Sequence, residues 1–209
     1  MSDFNSKGDV LAKLKAKYPF AKLITPSTLR FEKKIVNGQQ IFEFSMIEDN
    51  GASQVTERRL RKNDMFIADE IGLFLINRTV AKPGVEVLQS YPNPQVFPAG
   101  TTFLAADLEV FYNSLFNFTV GQEILIEGLD TNRFRNIDAL IQTSATTATS
   151  QKKDSGFVSL VPQIVLNGQK TAKTEIKLPT TAGLYPANDV AGHDNYLVLM
   201  LRGFLIPQA

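Results

Sequence analysis

The stretch NYLVLMLRGFLIP, residues 195–207, decides the fold class of this chain. Eight of the ten residues from Leu197 to Ile206 are large and apolar, and only Arg202 and Gly203 interrupt them. A membrane-spanning helix needs about 20 apolar residues, so this run is too short to cross a bilayer. The run is typical of a β-strand that is covered on both faces.

Such a strand must lie in the centre of a sheet, and something must cover its second face. We expect residues 197–201 to be buried within the subunit. Residues 204–207 should approach either a neighbouring chain or the N-terminal segment. Gly203 indicates a bend or a close backbone approach, where the guanidinium of Arg202 either escapes to solvent or finds a carboxylate.

The rest of the chain also favours strands over helices. Eight to ten short strand-like runs are separated by turn signals at close intervals, and no sequence pattern repeats at a fixed period. Fifteen Phe and five Tyr are typical of an aromatic β core. We predict an all-β fold, an antiparallel β-sandwich (residues 26–209) preceded by a short basic helix or arm (residues 1–25).

An Asn37-Gly38 pair joins two alternating runs and predicts a two-residue β-hairpin, because a type I′ turn needs positive φ at both positions. The corresponding register sets Phe31 opposite Phe44. It places four apolar side chains on one buried face: Leu29, Phe31, Phe44 and Met46.

A second hairpin is predicted at Asn167-Gly168. Pro162 lies in its first strand and marks a sheet edge or a bulge, because proline cannot donate to a strand ladder. Residues 64–80 read as one or two strands with a break near 70–72, and residues 104–113 as a short helix.

The N-terminal region is basic. Residues 1–34 hold eight Lys and Arg against three Asp and Glu, a balance of +5, whereas the other 175 residues carry −4. Residues 6–18 have apolar side chains at helical spacing. This helix either rests on its own domain or contacts a polyanion or a neighbouring subunit through five lysines: Lys7, Lys13, Lys15, Lys17 and Lys22.

Catalytic and metal-binding patterns are absent from the sequence. There is no Cys, and His193 is the only His, so thiolate sites and histidine-rich metal sites are excluded. Two carboxylate pairs remain, Asp69 with Glu70 and Glu127 with Asp130, and ordinary solvated carboxylates explain both. We expect neither an enzyme nor a cofactor.

The Pro-rich segment 82–100 contains two aromatic residues that would be poor choices for a free loop. Tyr91 and Phe97 should therefore pack on the domain or on a neighbour. Together with the end of the last strand they form our predicted subunit interface: Tyr91, Phe97, Phe204 and Ile206.

Six stretches within residues 70–206 carry a resemblance to a known group of proteins: IGLFL (71–75), KPGVEVLQSYPNPQVF (82–97), DLEVFYN (107–113), LDTNRFR (129–135), GFVSLVPQIVLNGQK (156–170) and LVLMLRGFLI (197–206). The chain resembles virion proteins of phages and prophages of Bacteroidetes bacteria, which are small jelly-roll-type capsid or capsid-associated subunits.

The resemblance implies a jelly-roll-like subunit that assembles with copies of itself and with other virion proteins to enclose a phage genome. It implies a location in the virion after synthesis in the host cytoplasm, with the N-terminal arm near the nucleic acid. The start MSDFNSKGD lacks the apolar region of a secretory signal. Two other functions stay open, a soluble carbohydrate-binding-like module and, less favoured, an enzyme with a carboxylate pair.

Overall fold

The computed structural model describes residues 7–19, 21, 23–48, 54, 56–137, 156–179 and 187–207, with side chains from residue 11 onward. Its elements in chain order are α1 (Lys7–Lys17), β1 (Thr25–Lys34), β2 (Ile41–Ser45), β3 (Asp64–Thr79), a first 3₁₀ helix (Ala105–Tyr112), β4 (Leu115–Val120), β5 (Glu123–Asp130), a second 3₁₀ helix (Thr131–Phe134), β6 (Phe157–Asn167), β7 (Ala172–Lys177) and β8 (His193–Pro207). None of the helices in these ranges has the length and hydropathy of a membrane-spanning helix.

The strands form two four-stranded sheets in which every pairing is antiparallel. Sheet 1 has the order β1-β8-β3-β6, and sheet 2 has the order β2-β7-β4-β5. As predicted, β8 is central, since it pairs with β1 on one side and β3 on the other. The predicted all-β sandwich with a short N-terminal helix is confirmed.

The strand pairs are nested. β1 pairs with β8, β2 with β7, β3 with β6, and β4 with β5, so the chain forms one long antiparallel ribbon that is folded across both sheets. Eight strands in this order make an antiparallel jelly roll.

Both predicted Asn-Gly hairpins are wrong, because each turn joins strands of different sheets. Asn37-Gly38 leads from β1 in sheet 1 to β2 in sheet 2, and Asn167-Gly168 leads from β6 to β7. Gly38 has a φ of 77°, but Asn37 does not have the positive φ of a type I′ turn. The corner after β1 uses a positive φ at Gly38, as a hairpin could, and the corner after β6 uses none, so the dipeptide cannot tell a corner from a hairpin.

The predicted partners of β1 and β2 are corrected accordingly. Phe31 lies opposite Leu199, and Phe44 lies opposite Thr174. The four apolar side chains of the predicted buried face nevertheless share the main core, where they point toward each other from the two sheets: Leu29, Phe31, Phe44 and Met46.

The main core lies between the inner faces of the sheets. Odd-numbered residues 197–201 of β8 point into it, because alternate residues of a strand face opposite sides. Aromatic side chains from sheet 2 and the 3₁₀ helices fill the opposite side. Phe42 meets Phe111 edge to face with 5.2 Å between ring centroids, and Phe116 meets Phe134 at 6.0 Å.

The outer face of sheet 1 is covered by the chain itself. Phe204 and Ile206 of β8 pack with Leu14 of α1, and Leu11 and Tyr18 of the same helical stripe add to this cluster. Of the two predicted covers for residues 204–207, the N-terminal segment is therefore the one observed.

A β-bulge interrupts β3 near the predicted break. Ala68 pairs with Gly203 and Glu70 pairs with Arg202, so Asp69 is the extra residue. The bulge keeps β3 continuous over 16 residues and reverses which of its side chains face the core.

Gly203 makes the predicted close backbone approach. A Cβ at this position would lie 1.9 Å from the carbonyl oxygen of Ile67 and 3.0 Å from the Cα of Ala68. Arg202 finds its carboxylate, with Nη1 3.6 Å from Oε2 of Glu70, and its guanidinium lies 3.6 Å from the centroid of the Phe157 ring.

Replacing Gly203 with alanine is expected to destabilise the fold by about 3 kcal/mol, because the clash is with backbone and rigid atoms must move. Gly192→Ala is the control: its Cβ would meet open space, so only the left-handed φ of 80° opposes it, at about 1 kcal/mol. Urea unfolding followed by circular dichroism measures both. Equal losses in the two variants would show that the contact with Ile67 relaxes without cost.

Candidate subunit interface

The four residues of the predicted interface are buried within their own chain. Phe97 lies in the main core, and Phe204 and Ile206 lie under α1. Tyr91 is also buried, its hydroxyl has no hydrogen-bond partner among the described residues, and burial raises its pKa. The four do not form one surface, and the fold already covers them, so a neighbour is not needed to explain their burial.

The lysines of the predicted polyanion contact are found only in part within the described structure. Lys13, Lys15 and Lys17 are exposed on α1, and Nζ of Lys17 lies 5.5 Å from the Tyr18 ring centroid. Lys7 begins the helix, and Lys22 lies outside the described residues. A contact with nucleic acid or a neighbouring subunit stays a prediction.

Three of the four carboxylates considered for catalysis (Asp69, Glu70 and Asp130) and the histidine have local structural partners, whereas Glu127 is exposed. Asp69 accepts a hydrogen bond from the Gln163 amide at 2.9 Å, and Asp130 accepts one from the Asn132 backbone as a helix cap. His193 Nδ1 lies 2.8 Å from an amide oxygen of Asn77. Across the described ranges, no group of three or more His, Cys, Asp or Glu side chains is placed to hold a metal ion.

The most buried charged cluster lies on the outer face of sheet 1, and sequence reasoning did not find it. Nη2 of Arg78 is 2.8 Å from Oε2 of Glu32, and Nε of Arg78 also pairs with Glu86. Nε of Arg30 is 2.7 Å from the other oxygen of Glu32, and the guanidinium of Arg78 lies 4.4 Å from the Tyr196 ring centroid. The cluster fastens the loop after β3 to the sheet.

The pKa values of this cluster favour its charged state. Burial is the largest single effect and would raise the pKa of Glu86, but the hydrogen bond from Arg78, backbone hydrogen bonds and the charge of Arg78 together outweigh it and lower this pKa. Burial likewise opposes the charge on Arg78, but hydrogen bonds to Glu86 and Glu32 raise its pKa overall. The charges satisfy one another, which indicates a structural role.

A groove opens between the two sheets where edge strands β5 and β6 face each other. Its volume is about 630 Å³, and apolar side chains from both sheets line most of it. We call it the β5–β6 groove. Its principal apolar contacts are Ile71, Leu160 and Ile164 from sheet 1 and Leu125, Ile126 and Leu129 from sheet 2.

Edge strand β6 carries no charged residue over its 11 positions. Ala68 pairs with Ile164 while Glu70 pairs with Ser159, so four residues of β6 bulge out of the ladder between these pairs. Pro162 lies in this bulge on an edge strand, as predicted. Val161 beside it is 92% exposed.

Edge strand β5 also exposes apolar side chains, but its charge differs. Ile124 and Leu125 are 60% and 43% exposed, and three carboxylates lie on the strand: Glu123, Glu127 and Asp130. Free proteins usually protect sheet edges with charges, prolines or bulges. The β5–β6 edge has such protective features, namely the carboxylates of β5 and the proline and bulge of β6, but it also has a contiguous apolar lining. Exposed apolar patches of this kind mark interaction surfaces.

Comparisons of the chain with protein-family models, with curated proteins and with solved structures find no match.

Proposed function

We propose that the chain is a structural protein of a virion, a subunit that self-associates into the capsid around a phage genome. The apolar β5–β6 edge carries the proposal, because it offers a contact surface with an uncharged strand. The jelly-roll strand order and the resemblance to phage virion proteins support it. Fold alone does not decide function.

In this proposal the subunit contacts copies of itself and other virion proteins, and acts without catalysis or a cofactor. The exposed lysines of α1 lie on the outer face of sheet 1, away from the inner core. They are available to the genome if that face is turned inward. The protein is made in the host cytoplasm and ends in the virion.

Purified protein is expected to form oligomers or closed shells as its concentration rises. Size-exclusion chromatography with light scattering gives the mass of each species relative to the 23.2 kDa chain, and negative-stain electron microscopy shows whether shells form. A 23.2 kDa monomer at every concentration would contradict the proposal.

A soluble ligand-binding module is the second candidate. The β5–β6 groove favours it, because about 630 Å³ falls within the range of roughly 300–1,000 Å³ that small-molecule sites occupy. A stable monomer in the same light-scattering experiment, with a small molecule retained in native mass spectrometry, would favour the module.

A further inference from the structure

The bulge of β6 forms an apolar projection beside the groove. Val161 and Pro162, which we call the knob, are both exposed, and Val161 has almost its whole side chain in solvent. The knob is also part of the wall of the β5–β6 groove. An apolar projection and an apolar recess therefore lie next to each other on one surface.

A surface that carries a projection and its own recess is suited to two-fold association. In a two-fold contact both copies use the same patch. If a first residue of one copy contacts a second residue of its partner, then the second residue of that copy also contacts the first residue of the partner. A two-fold axis beside the bulge brings each knob over the groove of the other copy.

The charges at this edge favour β6 over β5 as the centre of the contact. Pairing β5 with β5 of a second copy would bring six carboxylates together, and like charges across a strand pair are destabilising. A contact centred on β6 meets no such repulsion, because β6 is uncharged.

The rim of the groove adds complementary charge. Glu123 lies on the β5 side, while Arg133 and Lys170 lie elsewhere on the lining. A two-fold contact can place the carboxylate of one copy near a cation of the other, and such pairs fix orientation and suppress wrong partners.

We propose that two copies associate about a two-fold axis beside the β6 bulge, with Val161 and Pro162 of each copy inserted into the β5–β6 groove of the other. This inference rests on the proposed function and names the first contact of assembly.

The absence of native cysteine allows a direct test by cross-linking. One chain carries Val161→Cys, and a second chain with a larger affinity tag carries Leu125→Cys. Mixed and treated with a short bis-maleimide, they should give a heterodimer as the main cross-linked product. The control replaces Leu125→Cys by Leu115→Cys, since Leu115 is 50% exposed on the outer face of sheet 2 and does not line the groove.

A charge variant tests the same contact without a reagent. Val161→Asp should weaken dimer formation in sedimentation velocity by about 30-fold or more, because the carboxylate would be buried without a partner. Leu115→Asp should change the dissociation constant of the dimer by less than about 3-fold. Both sites are exposed, so unchanged circular dichroism and thermal unfolding are expected for each variant.

The outcomes separate the inference from the proposed function. A wild-type protein that assembles without the Val161-to-Leu125 cross-link, or equal weakening by the two aspartate variants, overturns the knob contact and leaves the subunit function standing. A wild-type monomer at high concentration overturns both. A small molecule retained in the groove of that monomer in native mass spectrometry identifies a ligand in place of a second copy.

Discussion

Replacing Arg78 with alanine is expected to destabilise the protein by about 3–5 kcal/mol, because it breaks a buried ion pair from one side. The side chains of Glu32 and Glu86 are 0% and 3% exposed. Without Arg78, Glu32 keeps the guanidinium of Arg30 and the hydroxyl of Thr56, whereas Glu86 keeps backbone amides alone, that of Gly84 at 2.9 Å and its own. Guanidinium chloride unfolding followed by circular dichroism measures the loss.

The control for this variant is Arg135→Ala. Arg135 forms a pair with Glu109 in which both side chains are about one third exposed, and such pairs contribute about 0–1 kcal/mol. Similar losses in the two variants would contradict a special role for the buried cluster.

The effect of Arg78→Ala should also depend on pH. The folded-state pKa of Glu86 is lowered, so its contribution to stability is present above the unfolded pKa of about 4.3 and is lost as pH falls through the folded value. In the variant, a protonated Glu86 no longer needs a cation. The stability difference between wild type and variant should therefore shrink toward acid pH, and a constant difference would show that Glu86 is not involved.

Replacing Phe44 with alanine is expected to cost about 3–5 kcal/mol, the range for removing a fully packed phenylalanine from a core. Phe44 is 3% exposed and belongs to the cluster between the two sheets. The substitution leaves a cavity between sheet 1 and sheet 2. The sheets cannot fill this cavity unless whole strands move. Chemical denaturation gives the free energy of unfolding.

Its neighbour Glu43 supplies the matched control. Glu43 points to the outer face of sheet 2, where it is exposed and lies 3.3 Å from Nζ of Lys173. Glu43→Ala should change stability by less than about 1 kcal/mol. A loss below about 1 kcal/mol for Phe44→Ala would show that this side of the core repacks.

Local patterns predicted the elements and failed on their partners. The apolar run in β8, a break near residues 70–72 and the helix α1 follow from periodicity and from residues such as Gly203, although the break is a bulge within one continuous strand. The partner of β1 does not, because its alternation fits any antiparallel neighbour. Asn37-Gly38 named β2 as that neighbour, whereas the observed partner β8 lies at the other end of the described chain.

The β5–β6 edge was not predicted from the sequence as a candidate interface, for a related reason. Buried aromatics in a Pro-rich loop look the same in sequence whether a domain or a neighbour covers them, and here the domain covers Tyr91 and Phe97. The exposure of Val161 follows from the position of β6 at a sheet edge and from its register with β3, which are set by tertiary pairing. Pro162 was the local signal of that edge.

The nested strand order also determines when the fold can be completed. Thr25 pairs with Leu205, which is 180 residues further along the chain. At translation rates of about 5–20 residues per second, about 9–36 s pass between the synthesis of the two strands. Sheets rich in distant pairings fold in milliseconds to seconds, so the wait for β8 exceeds the folding time itself. During that interval β1 has no ladder partner, and sheet 1 closes only when translation of β8 is complete.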